Sequence, residues 1–302
     1  MDIRNNMPLM VMPAMLIVVE VLGILLALPM QAAGVAAFED PTSVANPFIF
    51  LGLLLAFTLL MLGLIKIGGK KVILGLVALS IFLTFYYIFW TLSAVVLGVS
   101  SAAFILPIAA AGAATAVLFL YPEWYVIDTL GILIAGGVAS IFGISLAVLP
   151  VILLLSLLAV YDALSVYRTK HMIALAEGII DLKTPILFVI PKKRDFSFRK
   201  EGMNLQQEKE ERGAFIMGMG DLIMPSILVV SAQVFVPTPA LWFISVPALG
   251  AMAGSVVGMA VLLKFVLSGR PQAGLPPLNG GAILGFLLGC ALSGSWGWLM
   301  IV

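Results

Sequence analysis

The chain has 302 residues, of which 62% are hydrophobic and only 10% charged, with a formal net charge of +1. With a mean hydropathy of +1.19, it has more apolar surface than one water-soluble core can bury, which predicts an all-α membrane protein. One cysteine, Cys290, and one histidine, His171, exclude an internal disulfide framework and a histidine-based zinc site. We expect no cofactor, no metal and no nucleic-acid partner.

Apolar stretches of about 20 residues, the length that crosses a bilayer as a helix, predict nine transmembrane helices. In chain order these spans cover residues 8–30, 47–66, 72–98, 101–121, 126–148, 150–167, 213–236, 241–268 and 279–301. The first span resembles a signal peptide because Arg4 precedes it, but its length and the interruption at Glu20 favour a retained helix. The sequence therefore predicts a polytopic bundle, integral to the cell membrane if the organism is prokaryotic.

The positions of the basic residues predict the orientation of this bundle. With the N-terminus inside, all 16 Lys and Arg fall on the inner side, most of them in the loop at 168–212. The predicted outer segments hold none. The positive-inside rule therefore places the N-terminus inside and the C-terminus outside. The loop divides the chain into residues 1–167, with six spans, and residues 213–302, with three.

Two aspartates lie deep inside these spans, Asp162 in the sixth and Asp221 in the seventh. A charge in hydrocarbon is costly unless it is paired, protonated or facing water, so an intramembrane aspartate indicates a functional site. Asp162 lies six residues before Arg168, and Asp221 lies nine residues after Arg212. At about 1.5 Å per residue, both aspartates are roughly 9 to 14 Å below the inner boundary. Antiparallel neighbouring helices would bring them face to face.

Facing carboxylates at one depth predict hydrolysis of a peptide bond. Two such groups share one proton, because both cannot ionise cheaply at contact. The ionised member activates water while the protonated member polarises the scissile carbonyl, and no metal is needed. The alternative is a proton- or cation-coupled transporter or channel, in which the two aspartates bind the coupling ion in turn. The inverted repeat expected of such a transporter is not visible.

Glycines surround the second aspartate and recur in the last two spans. Gly218 and Gly220 permit local unwinding and close approach of another backbone before Asp221, which predicts strand addition by an extended substrate. Close helix packing is the alternative role for these two residues. In spans eight and nine, glycines repeat every four residues and predict tight packing of the two helices: Gly250, Gly254, Gly258, Gly281, Gly285 and Gly289. Glu20 is interpreted as an interhelical polar contact, a proton relay or a substrate contact.

Tyr161–Asp162 and the run Gly218, Met219, Gly220, Asp221 resemble the YD and GxGD motifs of the presenilin and signal peptide peptidase family. The nine spans and the large loop after the sixth are similar too, and the predicted orientation resembles presenilin, most closely a prokaryotic or archaeal homologue. The resemblance implies an intramembrane aspartyl protease with Asp162 and Asp221 catalytic. It also implies that Tyr161 and residues 218–220 contact transmembrane peptide or protein substrates. A homo-oligomer is left open.

The third motif of that family, Pro-Ala-Leu at the start of the last span, is imperfect here. Literal copies at residues 239–241 and 247–249 lie at the outer end of span eight, at the wrong depth to reach the aspartates. We therefore assign the motif to Pro276, Pro277 and Leu278, with proline in place of alanine. Adjacent prolines cannot donate backbone hydrogen bonds, which predicts a bent segment that shapes the substrate site.

The loop at 168–212 contains one apolar stretch, residues 186–190, that is too short to span a bilayer. The loop is interpreted either as a plain cytoplasmic connector or as a mobile gate whose apolar stretch covers the site.

Overall fold

The computed structural model describes residues 3–98, 101–169, 187–192, 196–198, 213–236, 238, 240–241, 243–267 and 272–300. Nine long helices lie in this part of the chain: α1 (Ile3–Ala32), α2 (Asn46–Lys66), α3 (Lys70–Leu97), α4 (Ser101–Leu120), α5 (Trp124–Ser145), α6 (Val148–Leu164), α7 (Met219–Phe235), α8 (Val246–Leu267) and α9 (Leu275–Ser293). Eight are long and apolar enough to cross a membrane, while α7 has 17 residues. The predicted helical, multi-pass membrane architecture is confirmed.

Proline and glycine account for several helix boundaries. Proline occupies the first turn of α2 and of α9, where its missing N–H costs nothing because those positions have no intrahelical acceptor. Helix α9 ends at Gly294, whose φ of 68° lies in the left-handed region that glycine tolerates. The break between α5 and α6 falls at Leu146 and Ala147, so Pro150 lies inside the first turn of α6 rather than between the helices.

The expectation of a helix from residue 213 is wrong. Ala214–Gly218 form strand β2, which pairs antiparallel with β1 (Leu187–Pro191) in a register from Leu187 opposite Gly218 to Pro191 opposite Ala214. The segment is apolar enough to read as part of a span, but it pairs with β1 instead of continuing a helix. Helix α7 begins only at Met219, directly after the strand. Two shorter strands, β3 (Ala240–Leu241) and β4 (Ile244–Ser245), precede α8.

Strand β1 contains most of the apolar stretch that was interpreted as a cover for the site. Phe188, Val189 and Ile190 are buried, and they belong to the same core cluster as Ile127 and Ile134 of α5. Residues 187–191 are therefore packed into the core in this structure, and the interpretation of the loop as a gate stays a prediction. The remainder of the predicted gate, residues 170–186, 193–195 and 199–212, lies outside the described residues.

Helices α8 and α9 pack backbone against backbone. A Cβ built on Gly254 would lie 2.0 Å from the Gly281 carbonyl oxygen, and one built on Gly285 would lie 2.1 Å from the Gly250 carbonyl oxygen. The four-residue glycine repeat thus provides the close approach that it predicted. Glu20 of α1 is fully buried and accepts a hydrogen bond from the Ser255 hydroxyl of α8 at 2.6 Å, so it makes the expected interhelical polar contact.

Candidate active site

Asp162 lies two residues before the end of α6 and is held by the start of α9. Its side chain is 7% exposed. The Leu275 N–H donates to Asp162 Oδ2 at 3.0 Å. Leu275 is the first residue of α9, where N–H groups lack intrahelical acceptors and the helix dipole favours a negative charge. The start of α9 is therefore a carboxylate-binding site within the protein.

Asp221 lies in the first turn of α7, immediately after β2. Gly218 caps this helix in an extended conformation, with φ −65° and ψ 137°, so the chain changes from strand to helix three residues before the aspartate. Pro225 lies four residues further on and lacks the N–H that would bond the Asp221 carbonyl. Asp221 as a residue is half-buried. This aspartate thus lies at a junction where regular backbone hydrogen bonding is interrupted on both sides.

The Gly274–Leu275 segment brings the two aspartates together. Leu275 bonds to Asp162, while a Cβ built on Gly274 would lie 3.0 Å from Asp221 Oδ1 and 3.2 Å from Oδ2. A side chain at position 274 would therefore press on the Asp221 carboxylate. Both carboxylates therefore lie against consecutive residues of one turn. The structure thus places the two intramembrane carboxylates on facing ends of α6 and α7, around one backbone turn.

The glycines before Asp221 differ in their surroundings. A Cβ on Gly218 would lie 3.7 Å from Asp221 Oδ2, whereas one on Gly220 would meet no heavy atom of the described residues within 4 Å. The described part of the chain therefore leaves space beside Gly220. Met219 is different, because its side chain is buried and belongs to the same core cluster as Phe188. The expectation that this side chain contacts substrate is not supported by its position. Tyr161 is half-buried beside Asp162 in α6.

The residues assigned to the third motif lie just beyond the turn that reaches the aspartates. Pro276 and Pro277 start a regular helix instead of a bent segment, and Leu278 is fully buried. A Cβ on Gly258 of α8 would lie 2.2 Å from the Pro277 carbonyl oxygen, so this part of α9 packs against α8. Sequence reasoning missed Gly274 and Leu275. The adjacent prolines were the available signal, because they mark a helix start and hence free N–H groups just before them.

Tyr167 connects the end of α6 to the segment that precedes Gly274. It lies in a single π-helical turn, Ser165–Thr169, directly after α6. Its hydroxyl donates to Gln272 Oε1 at 2.8 Å and accepts a longer hydrogen bond, 3.4 Å, from the Ala273 N–H. These contacts tie residues 272–273 to the helix that carries Asp162. Tyr167 therefore supports the backbone donors of the site although it does not touch either carboxylate in these contacts.

Tyr167→Phe should lower kcat for peptide cleavage by about 2- to 10-fold while KM stays within about 2-fold, because one neutral hydrogen bond contributes about 0.5–1.5 kcal/mol. The matched control is Tyr125→Phe, which removes an exposed tyrosine hydroxyl at the start of α5. That hydroxyl donates a hydrogen bond to the Tyr121 hydroxyl, away from the site. Steady-state cleavage of a labelled peptide measures both constants. An unchanged kcat in Tyr167→Phe would show that this contact does not position the site.

Two intramembrane aspartates held together by a helix start, with a glycine-flanked strand leading into one of them, define a membrane-embedded aspartyl protease. Among the described residues no group of three His, Cys, Asp or Glu side chains could hold a metal ion. The family model described as signal-peptide peptidase, presenilin aspartyl protease matches residues 13–295. The chain belongs to this family.

Solved structures agree with the family. One presenilin family intramembrane aspartate protease, crystallised in space group C222, is 52% identical over 95% of this chain and 100% of its own, with a TM-score of 0.71. A second, in space group P2, is 53% identical over 93% of this chain and 97% of its own, with a TM-score of 0.69. A search of curated protein sequences gave no match. The comparisons thus support the prediction of a protease over that of a coupled transporter or channel.

Proposed function

We propose that Asp162 and Asp221 are the catalytic pair and that they hydrolyse peptide bonds of transmembrane substrates within the bilayer. The observation that supports this proposal is that one turn meets both carboxylates: Leu275 donates a hydrogen bond to Asp162, and Gly274 lies against Asp221. Because an N–H donor fits an ionised acceptor, Asp162 is assigned as the ionised member and Asp221 as the protonated member.

The proposed reaction proceeds through a tetrahedral diol and uses the chain's own two carboxyl groups. The water oxygen attacks the scissile carbonyl carbon as Asp162 takes one water proton, while Asp221 gives its proton to the carbonyl oxygen. The C–N bond then breaks as Asp162 passes its proton to the amine nitrogen, and Asp221 recovers a proton from one diol hydroxyl. Each carboxyl group ends in its starting state. The test is cleavage of a single-span peptide by purified protein, with fragments identified by mass spectrometry.

Substrate binding is proposed to extend the β1–β2 sheet at strand β2. Val189 and Ile216 lie opposite each other, and the Val189 N–H points away from β2, toward Asp128 of α5. In an antiparallel pair this geometry marks a non-hydrogen-bonded position, so Ile216 also directs its N–H and C=O away from β1. By the two-residue alternation, Ala214 and Gly218 do the same. An extended substrate that pairs along this edge is led directly to Asp221.

N-methylation of a substrate peptide should reveal this pairing. If the substrate adds as a strand, N-methyl groups placed one at a time near the scissile bond should lower kcat/KM at every second residue, by about 2- to 10-fold per lost hydrogen bond. The intervening residues, whose N–H groups point away from β2, should tolerate the change. N-methylation far from the cleavage position is the control. A uniform loss, or none, would contradict strand addition.

Both aspartates are proposed to lie near the inner face. Lys66 ends α2 and Lys70 begins α3, on the same side of an alternating bundle as the end of α6 and the starts of α7 and α9. The clustering of basic residues on that side supports the N-terminus inside and the C-terminus outside. Water would then reach the pair from the cytoplasm. Assembly into a homo-oligomer stays a prediction.

A further inference from the structure

Asp128 is a third aspartate within the membrane helices, and the proposed reaction does not use it. It lies in the second turn of α5, where its Oδ1 accepts a hydrogen bond from the Val189 N–H at 2.8 Å. Val189 is the central residue of β1 and is 1% exposed, so the bond joins a helix side chain to the outer edge of the sheet. A carboxylate is expensive at such a position, and a role beyond helix packing is expected.

Gly131 lies three residues after Asp128 and therefore on the same face of α5. A Cβ built on Gly131 would lie 2.8 Å from Met219 Cε and 2.9 Å from Phe188 Cε1. Glycine at this position lets β1, through Phe188, and the first residue of α7, through Met219, rest on the same patch of helix. Asp221 follows Met219 by only two residues. The face formed by Asp128 and Gly131 thus contacts both the sheet and the start of the helix that carries Asp221.

The hydrogen bond from Val189 also occupies the outer edge of β1. An extended peptide that paired with β1 would need the same N–H group, which the Asp128 carboxylate already accepts. No corresponding contact from a described side chain is seen at Ile216 on β2. The two edges of this sheet therefore differ: one is closed by α5, and the other leads to Gly218 and Asp221.

We propose that Asp128 is a positioning residue that determines where the substrate is cut, by closing the β1 edge and fixing the sheet on α5 in register with Asp221. This inference rests on the proposed addition of the substrate to β2. A strand that slips by one residue exchanges the two faces of its side chains, and one that slips by two moves a different peptide bond to the aspartates. A loosened sheet should therefore change the cleavage position as well as the rate.

The test compares Asp128→Asn with Asp128→Leu in the full chain. Asparagine keeps an acceptor oxygen at the same place, so we expect the wild-type cleavage position and a kcat within about 2-fold. Leucine removes the acceptor, and the share of product from the main site should fall, with new fragments one or two residues longer or shorter and a kcat lower by about 3- to 10-fold. KM should change little. Asp40→Asn, in an exposed loop, is the control for loss of a carboxylate.

Gly131→Ala keeps Asp128 but presses on Met219 and Phe188, so it should give the same spread of fragments. Wild-type fragments from folded Asp128→Leu would overturn the proposal, as would wild-type fragments from folded Asp128→Ala, which also removes the acceptor and decides the matter if Asp128→Leu does not fold. Equal impairment by Asn and Leu would also overturn it, because the acceptor would then be irrelevant. The N-methylation experiment on the wild type separates strand addition from the role of Asp128. If the loss of kcat/KM does not alternate along the substrate, strand addition itself is refuted. If it alternates but the variants give wild-type fragments, only the role of Asp128 is refuted.

Discussion

Asp162→Asn and Asp221→Asn should each lower kcat for peptide cleavage by more than about 1,000-fold, in line with the loss of one member of a catalytic unit in other hydrolases. An amide at Asp162 cannot take the proton from water. An amide at Asp221 cannot give its proton to the scissile carbonyl oxygen. The substitution is nearly isosteric, so each variant should remain folded. Fragments of a single-span peptide, quantified by mass spectrometry, measure the loss.

The two losses should not add. Because the pair works as one unit, the double variant should be no slower than the slower single variant, within the residual rate. Asp40→Asn is the control, since its carboxylate is exposed in the loop before α2 and accepts a hydrogen bond from Thr42. Thermal unfolding in detergent checks that all variants are folded. Retention of a tenth of the wild-type rate by either single variant would refute the assignment of the catalytic pair.

Asp40 also gives a contrast in local electrostatics. Hydrogen bonds from the side chain and backbone of Thr42 lower the pKa of this exposed carboxyl below its ordinary value. Its charge is therefore present throughout the neutral range, and its removal changes a surface loop without touching a proton that the reaction needs. That difference makes it a stringent control for the intramembrane aspartates.

The intramembrane aspartates and the helical bundle could be predicted from the sequence because the bilayer constrains both. Exposing backbone polar groups or an unneeded charge to hydrocarbon costs free energy. A carboxylate in an apolar span and a 20-residue apolar run are each strong signals. The glycine repeats of α8 and α9 were equally informative, since only a smooth surface explains four-residue spacing in two neighbouring spans. These features depend on local composition, which a single sequence contains.

Strand β2 and the turn at Gly274 could not be predicted in the same way. Residues 214–218 are apolar throughout, and a short apolar run has no periodicity that separates a strand from the start of a helix. What makes them a strand is the pairing with residues 187–191, about 27 positions earlier in the chain. Likewise, the contact of Gly274 with Asp221 depends on how α9 packs, and the hydrogen bond of Asp128 depends on a strand that was not expected.

Gly281→Ala should destabilise the protein and slow the reaction, whereas Gly280→Ala should do neither. A Cβ on Gly281 would lie 2.3 Å from the Gly254 carbonyl oxygen of α8, so the two backbones must separate. A Cβ on Gly280 would meet no heavy atom within 4 Å among the residues that the structure describes. We expect a loss of about 1–3 kcal/mol in the free energy of unfolding for the first variant, the usual cost of an overpacked contact. For the second, alanine's higher helix propensity should give no loss or a small gain.

The effect on activity follows from the position of Gly281 in α9, six residues after Leu275. Separation of α9 from α8 should shift the start of α9, and with it the Leu275 N–H that bonds to Asp162 at 3.0 Å. Folded Gly281→Ala should thus show a lower kcat in addition to a lower midpoint of thermal unfolding. Gly280→Ala is the matched control, because it adds the same methyl group to the same helix turn. Equal stability and equal rates for the two variants would mean that the α8–α9 contact does not hold the site together.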